Sequence, residues 1–362
     1  MIRQSLICSA LALAALGTYA PQALAEGERL KLPRAPVFPA PMPPGRASPL
    51  ADQLLVPDYL GHTLRALQGT QTTATINLGD CKPNSVVQVR STVAVVCHLE
   101  GDPSVATNNF IAVYDAAALK QSGTPSPQRR ITGSQFQHLI GSAVAPDGGY
   151  WVASYGSWDT NDTTGALLKV DLSSGTVVHR VINSPAHPAA LTFTADAAYV
   201  VGQYQGGVVV KLALADLNSQ SDVTPLAFAK DGVGFDNPEG VAVFKGAVFV
   251  GNNGGDHATH QILRFDSNLG NATKVLDASN KQVMCPGGFY AAGNSLYVND
   301  QSYDLLAAGR SGCGNGDAKA SAGAVLVYTD INLQNPKVIP AVSSRPGFGG
   351  LWASSLIVPV KR

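Results

Sequence analysis

The chain has 362 residues with 25 basic and 25 acidic side chains, and only 14% of its residues are charged, where soluble domains average about 25%. Charge this sparse and balanced excludes a nucleic-acid binder that works through bulk electrostatics. With 37 glycines, 23 prolines and 45% hydrophobic residues, the chain carries too much apolar material for disorder and too many helix breakers for a bundle, which leaves an all-β globular protein.

Residues 1–25 contain Arg3, an apolar run from Leu6 to Leu16 and the small-x-small ending Ala23-Leu24-Ala25, the pattern of a secretory signal. The run is too short to cross about 30 Å of hydrocarbon as a helix. A secreted or periplasmic protein without an integral membrane segment is expected. Residues 26–53 follow as a tether, with seven prolines between positions 33 and 49, and the folded domain is expected over 54–362.

From Leu54 the chain restates one pattern: a Pro or Gly turn, a short apolar strand, a tight turn, a second strand, a loop and a third strand often ending in Asp. The clearest copy runs Asn237-Pro-Glu-Gly-Val-Ala-Val, then Ala247-Val-Phe-Val-Gly-Asn-Asn, then Gln261-Ile-Leu-Arg-Phe-Asp. Matching openings fall at Pro83, Leu139, Pro188, Pro238, Pro286 and Pro346, in steps of 56, 49, 50, 48 and 60 residues. Four strands per roughly 40 to 50 residues is the blade of a β-propeller, and fourth strands fit at Thr176–Ile182 and Val223–Ala229. A two-sheet sandwich also alternates short strands but requires no near-equal period.

Five units are complete. Leu54–Val56, His62–Leu67 and Thr73–Leu78 read as the last three strands of a sixth blade, and Gly349–Ala353 reads as its first strand. Pairing the two ends would close a six-bladed ring and remove its exposed sheet edges. Leu356–Val360 is one strand more than this scheme needs, which leaves seven blades open.

The Asn237 unit, together with Ser142-Ala-Val-Ala-Pro-Asp-Gly-Gly-Tyr-Trp-Val-Ala-Ser, resembles the blades of NHL-repeat propellers and of the gluconolactonase superfamily. The similarity spans nearly the whole mature chain and lies in positions that build blades, which binding proteins and enzymes share.

In a four-strand meander the start of the first strand and the end of the second share one edge, so all such edges form one face. Lys82, Asn84, His138, His187, Asn237, Glu239 and Arg345 should line the channel mouth there. Tyr155, Tyr204, His98, Asn253, Asn299 and Asp300 join them from the loops after second strands. Six of the seven histidines map to this face, and convergent polar groups at a concave mouth suit a ligand. Glu239 stands out, because the matching positions hold Asn84, Ile140, Ala189, Gly287 and Gly347.

Cys81 and Cys97 fall on one edge of one blade, and Cys285 and Cys313 on one edge of another. In an exported protein they read as two disulfides. Glu239 with Asn84, Asn253, Asn299 and Asp300 offers hard oxygen ligands suited to Ca²⁺ or another divalent metal. The gluconolactonase resemblance implies that such a metal would polarise a lactone carbonyl. The His257-Ala-Thr-His260 pair, with His98 and His62, is of a kind that binds a transition metal or serves as acid and base, and 159–165 reads as an exposed turn. Gly-x-Ser-x-Gly, a phosphate loop and paired CxxC motifs are absent from the sequence. The expectation is a monomeric propeller binding a small molecule, polymer or protein at its polar mouth. The alternative is a metal-dependent lactonase or related hydrolase using the same mouth.

Overall fold

The computed structural model describes residues 53–69, 71–157, 164–182, 185–203, 207–229, 235, 237–252, 260–277, 285–301, 323–339 and 359–360. Within them lie six four-stranded antiparallel sheets, the blades of a β-propeller. The first blade is built from β1 (Gln53–Asp58), β2 (Thr63–Gln68) and β3 (Gln71–Asn77). The second holds β4 (Lys82–Val89), β5 (Thr92–His98), β6 (Asn109–Asp115) and β7 (Arg129–Ile131). The third holds β8 (Leu139–Val144), β9 (Tyr150–Ser154), β10 (Ala166–Asp171) and β11 (Thr176–Ile182). The fourth comprises β12 (Pro188–Phe193), β13 (Ala197–Gly202), β14 (Val208–Ala213) and β15 (Ala227–Ala229), and the fifth β16 (Pro238–Phe244), β17 (Ala247–Asn252), β18 (Gln261–Phe265) and β19 (Thr273–Asp277). The sixth contains β20 (Pro286–Ala292), β21 (Ser295–Asp300), β22 (Ala324–Tyr328) and β23 (Lys337–Ile339).

The last strand, β24 (Pro359–Val360), pairs antiparallel with β1 through Gln53 and Leu54 and completes the first blade in the order β24-β1-β2-β3. The ring therefore closes as a six-bladed propeller by joining its two ends. The segment that the repeat count left over, Leu356–Val360, supplies this strand, whereas Gly349–Ala353 lies outside the described residues. The fourth blade's outer strand is shorter than its sequence suggests, covering Ala227–Ala229 of the expected Val223–Ala229.

Strand formation follows local chemistry. β5 reads Thr-Val-Ala-Val-Val-Cys-His, a β-branched run that packs on both faces because blades lie on either side of it. Phe244 and Ala247 are joined by the two-residue loop Lys245-Gly246 at φ 49° and 80°, the left-handed pair that a tight hairpin requires. Six apolar clusters fill the spaces between consecutive blades, including the space between the sixth and the first.

The inner strands β4, β8, β12, β16 and β20 pack against one another in succession around the axis. Each carries a β-bulge just after its opening residue: between Pro83 and Ser85, Leu139 and Ser142, Pro188 and Ala190, Pro238 and Gly240, and Pro286 and Phe289. A bulge inserts a residue outside the ladder and re-aims its side chain. Asn84 and Glu239 are such inserted residues, which is why one repeat position can carry polar groups without disturbing the sheet. The inner strands approach closely enough that a Cβ on Gly240 would meet Gly287 O at 1.9 Å.

Cys81 and Cys97 form a disulfide with Cα atoms 5.0 Å apart and a separation of 16 residues. In the chain-entropy model a loop of that length contributes about 3 kcal/mol. Cys285 is also disulfide-bonded, and Cys313, its expected partner, lies outside the described residues.

Candidate functional site

The last residues of the six second strands occupy equivalent places at one end of the ring: Asp58, His98, Ser154, Gly202, Asn252 and Asp300, all buried. Three of them do the same structural task. Ser154 Oγ accepts from Gln137 N at 3.2 Å, Asn252 Oδ1 from Asn237 N at 3.0 Å and Asp300 Oδ1 from Cys285 N at 2.9 Å. Each satisfies a backbone N–H where its own blade's inner strand begins, a group that burial would otherwise make costly. Asp58 instead accepts from Gly61 N at 3.0 Å and faces Arg65 at 3.6 Å.

His98 breaks this pattern. Its side chain turns to the next blade, where Nε2 lies 2.5 Å from Leu139 O. A carbonyl only accepts, so Nε2 carries the proton, and Nδ1 is the acceptor for the Tyr59 hydroxyl at 3.2 Å. His187 is fixed in the opposite tautomer, because its Nδ1 donates to Tyr155 O at 3.0 Å.

Between them sits His138, 2% exposed and at φ 52°. A buried non-glycine residue in the left-handed region is strained and persists only where its surroundings enforce it. The enforcement is visible. His138 N donates to Pro103 O at 2.7 Å, and its own carbonyl accepts from Tyr155 N at 3.0 Å. The following residue, Leu139, is clamped by three buried side chains of the second blade. Asn109 Oδ1 accepts its N–H at 3.0 Å, while Asn84 Nδ2 at 3.1 Å and His98 Nε2 both donate to its carbonyl.

The result is a row of five rings crossing four blades. Centroid separations are 5.8 Å for Tyr59 to His98, 5.3 Å for His98 to His138, 5.0 Å for His138 to Tyr155 and 5.0 Å for Tyr155 to His187. Burial, with a smaller contribution from Lys82, holds His98 down to about 4 against the pull of its bond to Leu139. Burial and the neighbouring His98 hold His138 well below the ordinary histidine value. Burial, aided by Glu100, pushes Tyr59 up to about 12. At neutral pH these groups are therefore neutral donors and acceptors. At the rim, Glu100 pairs with Lys82 at 2.6 Å and faces His62 at 3.7 Å.

Of the residues singled out by sequence, His98, His138, His187 and Tyr155 share the ring row, and Asn84 reaches it through Leu139. Glu239 and Asn237 belong to a second grouping. The Glu239 carboxylate accepts from Asn237 Nδ2 at 3.2 Å and from Gln301 Nε2 of the next blade at 3.0 Å. Asn299 and Asp300 are buried at the end of β21. Arg345, Tyr204 and Asn253 lie outside the described residues. Among the described residues no three His, Cys, Asp or Glu side chains are grouped to hold a metal ion. Asn109 and Gln301 escaped the sequence reading. Asn109 had one available signal, a polar residue opening the apolar strand Phe-Ile-Ala-Val-Tyr.

No family model matches the chain, and no curated protein matches it. Among solved structures, the PQQ-bound aldose sugar dehydrogenase of Streptomyces coelicolor shares the fold with a TM-score of 0.53 and 16% identity, over 76% of this chain and 90% of that one. The likeness is one of architecture. The resemblance to NHL-repeat and gluconolactonase blades rests on the motifs quoted above.

Proposed function

We propose that this is an exported binding module that holds a small, neutral, hydroxyl-bearing molecule at the histidine-lined end of the ring. The observation that carries the reading is His138, a buried imidazole kept in a left-handed backbone between His98 and Tyr155. Backbone strain at buried titratable residues clusters at binding sites, which supports this reading. Neutral imidazoles, phenols and amides exchange hydrogen bonds with hydroxyl groups without desolvating a charge. With their basicity suppressed, His98 and His138 are poor general bases near pH 7, which favours recognition over acid–base turnover.

Export is supported by the signal-like residues 1–25 and by the Cys81–Cys97 disulfide, a bond of oxidising compartments. Among the described residues no helix is long and apolar enough to cross a membrane. The neighbour's PQQ is a polyacid, and the histidine end fits it poorly, since the described cations there, Lys82 and Arg65, are each engaged with a carboxylate. The test is a thermal-shift and calorimetric panel of neutral sugars, lactones, Ca²⁺ and PQQ, with lactone hydrolysis followed in parallel. Saturable binding of a neutral hydroxylated compound without turnover is expected. Chelator-sensitive lactone hydrolysis would transfer the site to the metal-dependent hydrolase reading.

A further inference from the structure

At the opposite end of the ring, the second and third blades leave a groove of about 610 Å³ between them, within the range of small-molecule sites. It contains five charged side chains. The second blade contributes Arg90, on the β4–β5 turn, and Arg129, on β7, and the third contributes Asp147, Lys169 and Asp171.

Three of the five are already engaged. Asp147 Oδ2 lies 2.9 Å from Lys169 Nζ, which also donates to Asn218 Oδ1 at 2.7 Å. Asp171 accepts from Ser173 N at 2.8 Å, Ser173 Oγ at 2.7 Å and Ser174 Oγ at 2.8 Å. These bonds hold its carboxyl down to about 2, so it needs no cation to stay ionised. Arg90 and Arg129 form no ion pair with any described residue. Arg129 is nevertheless positioned, because its Nη1 donates to Ser174 O at 2.9 Å across the blade boundary. Arg90 stands at φ 57°, a turn position that glycine, asparagine or aspartate fills at lower cost.

The rest of the lining fits a particular chemistry. Ser91, Thr92 and Ser173 bring hydroxyls to the groove, while Leu172 and Val178, the latter 56% exposed, offer an apolar surface. A sugar ring presents both characters, hydroxyl edges and a C–H face. Guanidinium forks are matched to carboxylates, which they bind through paired charge-assisted hydrogen bonds. We infer that this groove is a second binding site, separate from the histidine end, for a small hydroxylated carboxylate of hexuronate type, with Arg90 and Arg129 receiving the carboxylate.

Calorimetry of the mature protein with glucuronate and galacturonate as probes tests this, with glucose, sulfate and phosphate as controls. Binding of at least one hexuronate is expected. It should weaken with added salt and fall at least tenfold, about 1.4 kcal/mol, in each of Arg90→Gln and Arg129→Gln. Both variants should keep the wild-type melting temperature, since neither guanidinium is buried. Absence of hexuronate binding at millimolar concentration, undiminished binding in the double variant, or equal binding of sulfate or glucose would each overturn the assignment.

Discussion

Replacing Asn109 should loosen the clamp on Leu139, and its cost can be worked out bond by bond. The fully buried Asn109 amide makes three hydrogen bonds: Nδ2 to Pro103 O at 2.6 Å and to Val105 O at 2.9 Å, and Oδ1 from Leu139 N at 3.0 Å. In Asn109→Ala the two carbonyls keep other partners, since Pro103 O still accepts from His138 N and Val105 O from Asn108 N. The Leu139 N–H loses its acceptor. An orphaned buried donor costs about 1–3 kcal/mol, and the vacated side-chain volume adds about 1 more, giving roughly 2–4 kcal/mol. For a domain of this size that lowers the melting temperature by roughly 3–6 °C. Asn109→Asp separates geometry from volume, because it preserves shape but points a carboxylate oxygen at two carbonyl oxygens. That oxygen favours a proton, so the folded-state pKa of the new carboxyl rises above its unfolded value near 3.9. The protonated form restores the donor. Stability of Asn109→Asp should therefore be greatest in acid relative to wild type and be lost as pH rises through the raised pKa. Thermal and urea unfolding followed by circular dichroism at several pH values measures both variants. A change under about 0.5 kcal/mol in Asn109→Ala, or a deficit in Asn109→Asp that is independent of pH, would refute the clamp.

The buried histidines make a second prediction. His98 titrates near 4 in the folded protein against about 6.5 unfolded, so the unfolded state gains protons first on acidification. Stability should be fully present above pH 6.5 and fall by a few kcal/mol towards pH 4, and His98→Gln should flatten that slope in a melting-temperature titration. Gly240→Ala should destabilise the fold by about 3 kcal/mol, because its Cβ would collide with the Gly287 backbone and Phe289 of the sixth blade. A melting temperature within a degree of wild type would contradict the close approach of these inner strands.

The blades were legible in the sequence because their punctuation is local. Pro at the opening of β4, β12, β16 and β20 and the apolar, β-branched second strands follow from turn chemistry and strand preference, and β11 spans the same Thr176–Ile182 that the pattern indicated. The chain-closing strand was harder to place, since whether Pro359–Val360 pairs with β1 is decided by a partner some 300 residues away. The bulges were hidden for a related reason. An inserted residue is defined by two strands counted together, so nothing local marks Asn84 or Glu239 as lying outside the ladder. Clustering histidines at one end required only the blade register. Which of them would be buried, left-handed or fixed in one tautomer depended on contacts between blades, such as Asn109 to Leu139 and His98 to Leu139. Asp300, an acidic strand end that suggested a ligand, shares with Ser154 and Asn252 the task of capping a strand entry, a role visible only once both strands are placed.

The central claim is tested most directly by calorimetry of His138→Asn beside wild type, using the neutral hydroxylated compound that gives the strongest thermal shift. Asparagine tolerates the left-handed backbone at position 138, so the blade should stay folded with its disulfide intact while the imidazole is removed. At least tenfold weaker binding, about 1.4 kcal/mol, with a melting temperature close to wild type is predicted. Unchanged affinity in the folded variant, or no neutral hydroxylated ligand for the wild-type protein, would contradict a binding site built on His98, His138 and His187.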